Sequence, residues 1–99
     1  MCKLILNFMV GFKQTPITVS VDGRILDKME LSTDYSIGLA SKKRYEIDDT
    51  CKKLVIVDNR SNMSVSARLL NKPVVAFQVI ITPEGTLQMS ALERKLELY

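Results

Sequence analysis

A chain of 99 residues, 46% hydrophobic and 25% charged with a mean hydropathy of +0.08, is long enough for one domain with one core, and its composition argues against disorder. Its net charge of +3 and pI near 9.0 are too mildly basic to specify a nucleic-acid partner. It has no histidine and no tryptophan, which removes Ser-His and Cys-His nucleophile pairs, histidine metal sites and the usual neutral-pH general base.

The first apolar stretch, Met1 to Phe12, has a secretory leader's hydrophobicity but not its pattern. Asn7 interrupts it, Lys13 follows at once, and no small-x-small cleavage site appears. It reads as a first strand over residues 3–10. No apolar run approaches the ~18 residues of a membrane-spanning helix.

Residues 17–31 carry the clearest pattern. Ile17, Val19 and Val21 alternate with Thr18 and Ser20, and Asp22-Gly23 follows. Ile25, Met29 and Leu31 then sit among Arg24, Lys28 and Glu30. Alternation of this kind marks two half-buried strands, 16–21 and 24–31, joined by a tight turn. The apolar rows of both arms are odd-numbered. A two-residue loop would set odd against even, whereas the three-residue loop Val21-Asp22-Gly23 would set Val19 opposite Ile25, so a bulged three-residue turn is expected. Asp27 falls on the apolar side by parity and needs a hydrogen-bond partner or a place at the sheet margin.

Strands are expected next at 34–39 and 44–47. The densest charge lies here: Lys42-Lys43-Arg44, with Tyr45 beside it, then Lys52-Lys53. If 44–47 and 53–58 pair as a hairpin, these five side chains form one basic patch able to hold a phosphate backbone or an acidic partner. The competing reading is a set of charges that guard sheet edges against aggregation. Asp48, Asp49, Asp58 and Asn59 could offer oxygens to calcium, but they lack EF-hand spacing and read better as solvated turns. Cys51 lies between Asp49 and Lys52-Lys53 without a partner base, as an ordinary thiol. Cys2 and Cys51 are the only cysteines, which suits two thiols in a reducing compartment.

Further strands are expected at 53–58, 63–70, 74–82 and 86–89. Asp58 to Asn62 and Thr82-Pro83-Glu84-Gly85 supply turns between them. Three runs are apolar on both faces: Leu4-Ile5-Leu6 with Phe8-Met9-Val10, Leu54 to Val57, and Val74 to Ile81 around Gln78. A lone two-layer sheet should alternate, so these runs imply cover on both faces. In the tail, Ser90-Ala91-Leu92-Glu93 matches a capping box, and Leu92, Leu96 and Tyr99 share one helical face. So short a helix needs to dock, on its own β-body or on another subunit. A strand continuing through Leu87, Met89 and Ala91 is the alternative.

These readings give a single all-β domain over 1–99: an antiparallel β-sandwich or small barrel of about seven to nine short strands, with a short C-terminal helix near 91–99. The expected function is a non-enzymatic protein-interaction or structural module that self-associates through its two-faced apolar strands, as a homo-oligomer or with a protein partner, in the cytoplasm. Leu92, Leu96 and Tyr99 are the candidate interface. The alternative is a small basic barrel that binds nucleic acid or another polyanion through Lys42, Lys43, Arg44, Lys52 and Lys53. No catalytic, metal or cofactor residues stand out, and no phosphate-loop or closed zinc spacing is present.

Overall fold

The computed structural model describes residues 2–48, 50–69 and 74–92. They form eight strands: β1 (Cys2–Phe8), β2 (Thr15–Val21), β3 (Arg24–Leu31), β4 (Ser41–Ile47), β5 (Lys53–Asp58), β6 (Met63–Arg68), β7 (Val74–Ile81) and β8 (Leu87–Leu92). Two four-stranded sheets result, ordered β4-β1-β7-β8 and β3-β2-β5-β6. All neighbours are antiparallel except β1 and β7, which run parallel. The inner rows of both sheets merge into one core that includes Leu4, Leu6, Phe8, Ile17, Val19, Leu54, Ile56, Phe77 and Val79. Phe8 meets Phe12 edge to face, with ring centroids 5.8 Å apart.

The two-faced apolar runs are central strands. β1 and β7 lie inside one sheet and β5 inside the other. Their outer-face residues Ile5, Val55, Val57 and Ile80 are half-buried and Ala76 is buried, flanked by side chains of the strands on either side. The parallel β1–β7 pair fits strands whose outer faces are also largely shielded.

The hairpin between β2 and β3 corrects the expected turn. Val21 pairs with Arg24, so the loop is the two residues Asp22-Gly23. Their φ values, +50° and +83°, are those of a primed hairpin turn. The change of parity occurs farther along. Ser20 faces Ile25 and Val19 faces Asp27, which leaves Leu26 as a bulge residue. Beyond it Ile17 meets Met29 and Thr15 meets Leu31, so the odd rows share one face as the pattern requires. Ile25, on the turn side of the bulge, points outward and is 54% exposed.

Three further expectations change. Residues 34–39 form a turn rather than a strand, closed by an isolated bridge between Asp34 and Leu39. Asp34 Oδ1 accepts the Ser36 N–H and hydroxyl, and Asp34's carbonyl accepts the Ile37 and Gly38 N–H groups. That folds the segment back on itself. Residues 44–47 and 53–58 do not pair; β4 borders β1 in one sheet and β5 lies between β2 and β6 in the other. Ser90, Ala91 and Leu92 belong to β8, where Ser90 pairs with Gln78, so no helix starts at Ser90. The tail follows the strand alternative through Leu87, Met89 and Ala91. The rest of the expected helix, 93–99, lies outside the described residues. Among the described residues, no helix is long and apolar enough to cross a membrane.

Candidate functional site

The strand directions sort the connections onto two ends of the sandwich. One end gathers the segments 9–14, 32–40, 59–62 and 82–86. The other gathers the Asp22-Gly23 turn, the connection 48–52 and the end of β6.

At the first end, segment 32–40 is braced against segment 9–14. The Thr33 hydroxyl donates to the Met9 carbonyl at 2.8 Å and accepts the Phe12 N–H at 3.1 Å. The Thr33 N–H donates to Phe12 O, and Ala40 N–H to Phe8 O. Arg60 reaches across to the carbonyls of Lys13 and Gln14. On this frame Tyr35 and Ile37 stand 63% and 67% exposed. Of the six large hydrophobic residues exposed among the described residues, four (Val10, Tyr35, Ile37 and Met63) belong to this end. Sequence reading missed Tyr35 and Ile37 because it placed them in a strand. The available signal was Asp34 with Ser36 and Gly38, which favours a turn.

At the second end the basic residues divide. Lys42 and Arg44 are exposed on the outer face of β4, and Lys43 is half-buried on its inner side. Lys53 opens β5 in the other sheet, and Lys52 precedes it. From Lys43 to the end of β4 is already about 13 Å at the usual rise per residue, so the five do not form one patch. Lys52 and Lys53 instead join Arg68, a residue the sequence reading did not single out. With Ser66, Ala67 and Leu69 they line a cleft of about 520 Å³. Lys53 lies directly opposite Arg68 in the β5–β6 ladder, a like-charge pair that disfavours the empty cleft. The Asp22 carboxylate fixes this corner: it accepts the N–H of Lys53 at 2.9 Å and of Lys52 at 3.1 Å.

The acidic cluster does not assemble. Asp48 binds its own turn, and the N–H and hydroxyl of Thr50 hold its carboxyl below the usual range. Asp58 lies buried at the opposite end, where its Oδ1 accepts the Arg60 N–H. Asp49 lies outside the described residues. Among the described residues, no three His, Cys, Asp or Glu side chains come together to hold a metal. Cys2 is buried in the core and Cys51 is half-buried. Leu92 closes β8 opposite Ala76, and Leu96 and Tyr99 lie outside the described residues, so the helical interface expected there is not described.

Asp27 has the partner its position demanded. The Tyr45 hydroxyl donates to Asp27 Oδ2 at 2.9 Å, joining edge strand β4 of one sheet to edge strand β3 of the other. Burial first, and then this carboxylate, raise the Tyr45 phenol well above its ordinary pKa.

No protein-family model matches the sequence, no curated protein matches it, and no solved structure matches it.

Proposed function

We propose that the chain is a non-enzymatic interaction module that binds a protein partner through its braced loop end, in a reducing compartment. The observation that carries this reading is the display of Tyr35 and Ile37, 63% and 67% exposed, on a turn held by its own Asp34. An exposed isoleucine and tyrosine cost solubility unless something covers them. Tyrosine with serine and glycine neighbours is also a composition that binding loops use, because a rigid aromatic loses little conformational entropy on contact. Loops on a stable sandwich can specialise for contact while the core holds the fold.

The test compares wild type with Tyr35→Ser/Ile37→Ser in quantitative co-purification from the native cell. Both side chains are exposed, so the variant keeps its melting temperature. A partner depleted about tenfold or more by the variant supports the reading, since central anchors carry most of an interface's energy. A partner set identical for both proteins contradicts it.

A second reading rests on the cleft of Lys52, Lys53, Ser66 and Arg68, which suits a polyanion. It predicts retention on heparin that falls steeply with salt and is lost in Lys53→Glu/Arg68→Glu. Equal elution of that variant and wild type removes it.

A further inference from the structure

The four edge strands of the sandwich differ in one respect. On one side, β3 carries Arg24, Asp27, Lys28 and Glu30 and a bulge, and β4 carries Lys42, Lys43, Arg44 and Glu46. Charges and bulges of this kind keep an edge from pairing with another chain, and the Tyr45–Asp27 bond ties these two edges together. On the other side, β6 reads Met63-Ser64-Val65-Ser66-Ala67-Arg68 and β8 reads Leu87-Gln88-Met89-Ser90-Ala91-Leu92. Neither has a proline or a bulge, and their one charge is the terminal Arg68.

The hydrogen-bond alternation shows what β6 offers. Asp22 N–H donates to Lys53 O and Asn59 N–H to Pro16 O, so the odd residues of β5 bond to β2. The even residues of β5 therefore bond to β6, through Met63, Val65 and Ala67. Leu69 N–H donating to Lys52 O fits the same phase. The N–H and C=O groups of Ser64 and Ser66 must then point away from the sheet. Both residues are exposed, and among the described residues nothing bonds to these groups.

We propose that β6 is the edge through which two copies of the chain pair, antiparallel, about a two-fold axis at Val65. This rests on reading the chain as an interaction module, but it uses β6 rather than Tyr35 and Ile37, meeting the loop end only at Asn62 and Met63. Opposed residues in an antiparallel pair share a face, which requires a register of like parity. Centred on Val65, that register sets Ser64 against Ser66 of the second copy, Met63 against its Ala67, and Asn62 against its Arg68. The outward-facing groups of Ser64 and Ser66 then bond to each other across the axis, and no like charges meet. The same operation on β4, centred on Lys43 or Arg44, opposes that cation to itself. On β3, centred on Asp27 or Lys28, it opposes that charge, anion or cation, to itself. On β3 and β4 several such registers bring like charges together, and a bulge also breaks the β3 edge, whereas the register centred on Val65 of β6 opposes none. β8 is followed at once by Glu93-Arg94-Lys95, whereas β6 is uncharged from Met63 to Ala67 and its Arg68 meets an asparagine. The product is two four-stranded sheets joined into one of eight strands. Six-residue strand pairing makes a small interface, so the dimer is weak and concentration-dependent.

Sedimentation velocity over a wide concentration range reads it. Wild type shows a reversible monomer–dimer equilibrium. Ser64→Lys/Ser66→Lys opposes lysines twice across the axis and weakens the dimer at least about fivefold. Ser64→Lys/Ser66→Glu places opposite charges in the same register and restores it. Both pairs lie on an exposed face, and melting curves confirm that each variant is folded. Gln88→Lys/Ser90→Lys on β8 and Tyr35→Ser/Ile37→Ser at the loop end leave the dimer unchanged. A wild type that stays monomeric at high concentration overturns the proposal. So does a dimer that the two β6 lysines leave intact, or one lost through the β8 or loop-end variant. In the last case the loop end is itself the self-association surface, and the reading of the chain as an interaction module stands without β6.

Discussion

Asp27 is the residue whose position was best foreseen and whose partner could not be. Alternation alone put a carboxylate on the apolar side of β3 and demanded a hydrogen bond. Tyr45, 18 residues away and in the other sheet, supplies it. Sequence pattern reports which face a side chain takes; it does not report which strand crosses that face. The bond has a measurable consequence in alkali. Tyr45 keeps its proton in the folded chain well above the value near 10 of an unfolded tyrosine. The folded state therefore holds that proton more tightly, and the stability this confers is present below about pH 10 and is lost as pH rises through the folded value. Tyr45→Phe should cost about 1 kcal/mol at neutral pH, and should lose less stability than wild type between about pH 10 and 12. Urea midpoints across that range check it; parallel declines for the two proteins would refute the assignment. Asn7, half-buried on the outer face between Lys42 and Gln78, has the opposite fortune: its Oδ1 is buried with no partner among the described residues.

At the level of elements, seven of the eight strands lie close to their expected places, and β4 begins earlier than the expected 44–47. The one expected strand that failed, 34–39, failed because Asp34 and Gly38 turn the chain where its apolar residues suggested extension. The turn at Asp22-Gly23 was expected to shift parity itself. Leu26 does so as a bulge instead, which leaves the primed turn free to aim Asp22 at Lys52 and Lys53. The β5–β6 register that brings Arg68 beside Lys53 depends on long-range pairing, so the cleft was legible only in part. The crossover from β1 to β2 contains the least tolerant backbone position. Gly11 has φ +96°, and a Cβ there would collide with the carbonyl of Ile81. Gly85 has φ +90° but open space around it. Gly11→Ala should therefore cost about 3 kcal/mol and Gly85→Ala about 1 kcal/mol. Thermal melts rank them, and equal losses would mean that the β1–β2 crossover relaxes around the added methyl.

For the whole molecule, the two-faced apolar runs carried information that sequence reading assigned to a partner. They mark the central strands β1, β5 and β7, shielded by the chain's own neighbouring strands. Among the large hydrophobic residues of those runs, only Val10 and Val74 are exposed. The candidate contact surfaces consequently move from the sheet faces to the margins: the loop end with Tyr35 and Ile37, the bare edge β6, and the basic cleft at the opposite end. This relocation was not legible beforehand, because which strand is central and which is an edge is a property of pairing order. The central claim, that the loop end is the partner-binding surface, is tested most directly by site-specific photocrosslinking in the native cell. A photoreactive residue at Ile37 should give a discrete adduct that disappears when Tyr35→Ser is added, while the same residue at exposed Lys28 on β3 gives none. No adduct from position 37, or the same adduct from both positions, would contradict it.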